Sequence, residues 1–77
     1  MLPEPLPAWV PARRQAIGDH IRTERTRQKL TQERLAELAG LDRKTVNRIE
    51  QATHATSIDY LLLIADALNV PLADLVR

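Results

Sequence analysis

Cysteine is absent from these 77 residues, so neither a disulfide nor a thiolate metal site can staple the chain. Phenylalanine is absent too, and Trp9 and Tyr60 are the only aromatics. A core must therefore come from Leu, Ile, Val and Ala, which suits a compact helical bundle. His20 and His54 stand too far apart to suggest a metal cluster. No apolar run approaches the roughly 18 residues that span a membrane. The first residues lack a basic region followed by an apolar stretch, so no secretory signal is expected and the default location is the cytoplasm. No nucleophile, base and orienter come together in the sequence, so neither an enzyme nor a cofactor is expected. The length allows one domain with a small core.

Glycine is scarce, and one of the two, Gly40, sits at the centre of the most informative stretch. Residues 31–50 read TQERLAELAGLDRKTVNRIE. Thr31 is a good N-cap, since its hydroxyl can accept from an orphan N–H of the first turn. Leu35, Ala36, Leu38 and Ala39 recur at helical spacing, and Gly40 follows where a helix end favours positive φ. Asp42 restarts a helix as the next cap. Val46 and Ile49 give that second helix its buried side. Two helices joined by a short Gly-containing turn form a helix-turn-helix.

At about 100° per residue, Lys44, Asn47, Arg48 and Gln51 fall opposite Val46 and Ile49, with Arg43 at the edge. An amphipathic helix has a solvated polar face in any case. This one holds only donors and amides, and it follows a helix-turn-helix arrangement. Arg and Lys can donate twice to guanine, and Asn or Gln can bond adenine twice. Arg43, Lys44, Asn47 and Arg48 are thus the candidate base readers. Thr31 and Thr45 are candidate phosphate contacts. The net charge is only +1, but residues 12–50 carry +4 and the remainder −3. The positive charge lies where a nucleic-acid footprint needs it.

LTQERLAELAGLDRKTVNRIE resembles the XRE family, which includes the lambda-type repressors and Cro proteins. The likeness continues through TSIDYLLLIADALNVPLADLV. It implies an all-α, five-helix DNA-binding domain, usually dimeric, whose third helix enters the major groove. By the same resemblance Gln32 binds the DNA backbone, in a first turn whose free N–H groups favour phosphate. Arg25 is expected to pair with Glu50 as a structural ion pair. The chain departs from the family in three places. Lys29 stands where many relatives have Gly, so that turn must be made differently. Gln51-Ala52 replaces Asn-Gly, which suggests a longer or looser helix end. The following loop offers only His54, Thr53 and Thr56 where relatives often carry a basic phosphate clamp.

Four of the five prolines fall in residues 1–11, which read as a Pro-rich arm, with the domain spanning 12–77. The first helix should start at Pro11 or Ala12 and bury Ile17 and Ile21. Thr56 or Ser57 should cap the fourth helix, with Asp59 completing a capping box to Thr56. Ile58, Leu61, Leu62, Ala65 and Leu68 are its expected core stripe, which Leu63 and Ile64 widen. Asn69 is a left-handed cap candidate, and Pro71 should start a last helix presenting Leu72, Leu75 and Val76. One small domain is not expected to absorb all these apolar residues. Leu63, Leu72 and Val76 are therefore the candidate homodimer interface. The expectation is a double-stranded-DNA-binding regulator, a repressor acting as a homodimer. The alternative is an antitoxin or co-regulator whose main partner is another protein.

Overall fold

A computed structural model describes residues 5–77, so residues 1–4 of the expected arm lie outside the described residues. The described residues form five helices: α1 Trp9–Arg27, α2 Gln32–Ala39, α3 Arg43–Gln51, α4 Ile58–Leu68 and α5 Leu72–Val76. The first begins two residues before Pro11, on an Ala8 cap that makes no side-chain hydrogen bond. Pro11 still fits, because an N–H in the first turn has no helical acceptor in any case.

The other starts are built by short polar side chains. The Thr31 hydroxyl accepts from Arg34 N at 3.0 Å, and Asp42 Oδ1 accepts from Thr45 N at 2.7 Å. Ser57 caps α4 by accepting from Tyr60 N at 3.2 Å. Thr56 does not share that cap, and no capping box forms with Asp59; among the described residues its hydroxyl is buried without a partner. Pro71 stands one residue before α5, as its cap, with extended backbone.

Each of the first four helices is closed by a residue at positive φ: Lys29 at 59°, Gly40 at 73°, Ala52 at 56° and Asn69 at 58°. Such a residue turns the chain so that later N–H groups can reach the last carbonyls. Leu30 N bonds Arg25 O at 3.0 Å, Leu41 N bonds Ala36 O at 2.9 Å, and Thr53 N bonds Arg48 O at 3.3 Å. Ala52 thus ends α3 at Gln51 in a tight left-handed close, correcting the expectation of a longer or looser end. The close costs some strain, since a Cβ in this region crowds the carbonyl.

The core consists chiefly of Ile21, Leu35, Val46, Ile64, Leu68 and Leu75, all essentially buried. The first helix packs on α3 and α5, and α2 packs on α3 and α4. Side chains of α1 and of Gln28, the residue that follows it, also bond carbonyls of α4 and α5. Gln28 Nε2 donates to Leu68 O at 2.7 Å, and Arg13 Nη2 donates to Val76 O at 3.2 Å. His20 Nδ1 lies 3.0 Å from Leu75 O.

The fourth helix corrects the expected stripe. Leu61, Ile64, Ala65 and Leu68 face the core, whereas Ile58 is 56% exposed and Leu62 49%. Positions 61, 64, 65 and 68 follow the 3–4 spacing of one narrow face. Leu62 is about 100° round from Leu61, and Ile58 lies in the first turn. Leu38 of α2 is likewise exposed. Leu63 is 43% exposed, while Leu72 and Val76 are half-buried against the core. Among the described residues no helix is long and apolar enough to cross a membrane.

Candidate nucleic-acid interface

The third helix is short, and its two faces are sharply divided. Val46, Ile49 and Glu50 are buried. Arg43, Lys44, Arg48 and Gln51 are exposed, and Thr45 and Asn47 are half-buried. A rigid helix held by its apolar side thus presents three cations and an amide outwards. That is the donor set suited to base edges and phosphates.

Glu50 anchors the arrangement from beneath. Arg25 Nε donates to Glu50 Oε2 at 2.6 Å, and Arg25 Nη2 donates to Glu50 Oε1 at 3.0 Å. The Arg25 side chain is 12% exposed and that of Glu50 2%. Arg25 Nη1 also donates to Leu30 O at 2.8 Å, so one guanidinium joins α1, the α1–α2 turn and α3. A planar fork matched to a carboxylate fixes orientation as well as charge.

Gln32 extends this network. Its Nε2 donates to Glu50 Oε1 and to Asn47 Oδ1, each at 3.2 Å. Gln51 Nε2 reaches the same Asn47 oxygen at 3.3 Å. With Oδ1 engaged by two amides, Asn47 cannot present a free bidentate edge to adenine without a rearrangement. In this state it orients Gln32 and Gln51. Gln32 is half-buried at the start of α2, and Thr31 is exposed beside it. Thr45 gives its N–H to Asp42. The Thr45 side chain, and then that N–H, hold the Asp42 carboxyl below its usual range.

A cleft of about 550 Å³ runs along this network, lined by Gln15, Arg22, Arg25, Gln32, Glu50 and Gln51. Gln15 and Arg22 of α1 were not among the expected site residues. Arg22 is exposed and stands one helical turn before Arg25, a spacing that places both on the same side of α1. That periodicity was the available signal. On the other side of α3, a second cleft of about 330 Å³ includes Thr45, Arg48, His54 and Tyr60. His54 Nδ1 lies 3.0 Å from Thr53 Oγ1, so these two loop side chains hold one another beside Arg48.

A bundle that locks a donor-rich helix on its surface behind a capped turn defines a DNA-binding helix-turn-helix regulator. The family described as "Helix-turn-helix" matches residues 21–75, and the chain belongs to it, in its XRE-type branch of transcriptional regulators. It is similar to the control protein C.SmaI of Serratia marcescens, with 30% identity over 56 residues, 73% of this chain and 67% of that protein. The fold is similar to the crystal structure of the restriction-modification controller protein C.AhdI from Aeromonas hydrophila. That match has a TM-score of 0.81 and 35% identity, covering 84% of this chain and 94% of the other. The clp gene regulator ClgR from Corynebacterium glutamicum is also similar, at a TM-score of 0.76 and 25% identity over 82% of each chain.

Proposed function

We propose that this chain is a sequence-specific repressor that binds a near-palindromic operator as a homodimer, in the cytoplasm, with α3 in the major groove. The observation that carries the reading is the division of α3 into a clamped buried face and an exposed Arg43–Lys44–Arg48 face. Arg43, Lys44 and Arg48 read base edges. Asn47 joins them once DNA draws its amide away from Gln32 and Gln51. Thr31, Gln32 and Thr45 hold phosphates, as the start of α2 and the edge of α3 allow. One such helix covers only a few base pairs, so two copies reading half-sites about 34 Å apart supply the needed affinity. The exposed Leu63, with what Leu72 and Val76 leave uncovered, is the proposed joining surface; its exposed neighbours Ile58 and Leu62 support that choice. Similarity to two controller proteins supports a small regulator of this kind.

Selection from a random duplex pool, followed by footprinting and a salt titration, tests this reading. The expected result is a two-fold motif and an affinity that falls steeply with salt as counterions are released. Binding to a single asymmetric site by one copy would overturn the dimer. A flat salt response on every duplex would favour the protein-partner role instead. Placing the selected site across a promoter in a reporter assay separates repression from activation.

A further inference from the structure

Positions 15, 18, 22 and 25 of α1 follow the 3–4 spacing of a single helical face. Gly18 has no side chain, and there α1 meets the backbone oxygens of Ile49 and Glu50 at the end of α3. Gln15 stands one turn before this contact and Arg22 one turn after it. Both line the cleft that also holds Arg25, Gln32, Glu50 and Gln51. The charges of that cleft do not balance. Arg25 and Glu50 cancel, since both carboxylate oxygens accept from the one guanidinium. The cation of Arg22 is left over. Of the three exposed arginines of α1, Arg13 donates to Val76 O and Arg27 pairs with Glu24. Arg22 makes no ion pair and no side-chain hydrogen bond among the described residues. The amides of Gln15 and Gln51 each give one N–H to a neighbour, Asp19 and Asn47, and keep the other. An exposed arginine is commonly a solvated charge, and one near the end of α3 is also favoured by the helix dipole. Neither reason calls for a concave wall with spare donors beside it, which is the setting an oxyanion needs.

We propose that Arg22 clamps a phosphate of the DNA backbone at this cleft, a contact from α1 in addition to the one from Gln32. The proposal rests on the reading that α3 enters the major groove. In that reading Gln32 and Gln51 lie on the side facing the duplex, and both border the cleft. The strand that passes α3 therefore runs along its mouth. A planar guanidinium is matched to the two free oxygens of a phosphodiester, and the spare N–H groups of Gln15 and Gln51 flank it. The contact carries no sequence information and fixes the register of α1 on the duplex.

Affinity for a random duplex is measured against salt for the full chain, for Arg22→Gln and for Arg27→Gln, which removes an equal charge from another side of α1. The slope of log affinity against log salt should fall by about 0.9 in Arg22→Gln and stay unchanged in Arg27→Gln. A fourfold rise in salt then costs the unaltered chain about 3.5 times more affinity than it costs Arg22→Gln. Methylphosphonates placed singly along the selected operator locate the contact. One position should weaken the unaltered chain and Gln32→Ala but leave Arg22→Gln unaffected. Circular dichroism checks each fold, and Arg22→Ala serves where the glutamine variant fails to fold. An unchanged slope in the folded variant, an equal fall in Arg27→Gln, or no backbone position whose effect disappears with Arg22 would overturn the clamp and leave α3 in the groove. A flat salt response of the unaltered chain on every duplex would instead overturn the DNA reading, and the clamp with it.

Discussion

A Cβ placed on Gly18 would lie 2.5 Å from the backbone oxygen of Glu50 and 2.8 Å from that of Ile49. The first and third helices therefore meet backbone to backbone at the end of α3. Gly18→Ala must push them apart, since neither carbonyl belongs to a flexible side chain. Overpacking of this kind costs about 1–3 kcal/mol. In a chain of this size each kcal/mol lowers the melting midpoint by about 4–8 °C. Thermal melts followed by circular dichroism check this, and an unchanged midpoint would show that the contact yields freely.

The Arg25–Glu50 pair should behave as a buried unit. Truncating either partner strands the other charge, and such losses run to about 3–5 kcal/mol. The Arg25→Met, Glu50→Leu double variant should lose less than the two singles combined. Urea titrations of all four proteins give the coupling. Additive effects below about 1 kcal/mol are what an exposed ion pair would give.

Arg48 and Gln32 should fail in different ways. Arg48→Ala should cost about 1–3 kcal/mol on the selected operator and relax its preference at one base pair. Gln32→Ala should weaken all duplexes alike, because phosphates carry no sequence. Competition binding across single-base variants of the operator separates the two patterns. An unaltered preference in Arg48→Ala would place base reading elsewhere on α3.

Leu63→Glu should separate the proposed dimer and leave the monomer folded. The side chain is 43% exposed, so a charge there can stay in water in the monomer but not inside an apolar interface. Sedimentation gives the mass, and circular dichroism gives the fold. A dimer that survives the charge would move the interface to another surface.

Acid should loosen the start of α3 through Asp42. Its carboxyl is held below its usual range by the Thr45 side chain and then the Thr45 N–H. Because the folded-state pKa is the lower one, this stabilisation is complete above the unfolded value, about 3.9, and is lost as pH falls through the folded value. Asp42→Asn keeps a cap without the charge, so it should flatten that part of the profile. Melting midpoints between pH 6 and about 2 test this, and parallel profiles for the two proteins would count against it.

Much of the helix-turn-helix was legible because its signals are local. Thr31, Gly40 and Asp42 each act within one turn of chain, and the structure gives them the cap roles read from sequence. Asn69 was legible for the same reason. Lys29 and Ala52 were not, because neither residue favours positive φ and only the packed helices impose it. The run Leu61–Leu62–Leu63–Ile64 defeats a periodicity reading, since every register finds an apolar residue. Only the direction from which α1, α2 and α5 approach decides that Leu61 and Ile64 turn inward. At the candidate site, the outward cations followed from the positions of Val46 and Ile49. The Gln32–Asn47–Gln51 amide chain did not, because it depends on α2 and α3 meeting at hydrogen-bond distance.

Lys29 and Ala52 invert a common expectation about glycine. Replacing a helical residue by glycine usually loosens a protein by about 0.5–1 kcal/mol. At these two joints the left-handed backbone already crowds a Cβ, a strain of about 1–2 kcal/mol. Glycine there removes the crowding, a relief that matches or exceeds the entropy it costs. The joints flank the helix-turn-helix, one before α2 and one after α3, and neither is among the candidate DNA contacts. An engineer seeking a sturdier protein would therefore begin at its hinges rather than in its core, and could leave the reading surface untouched.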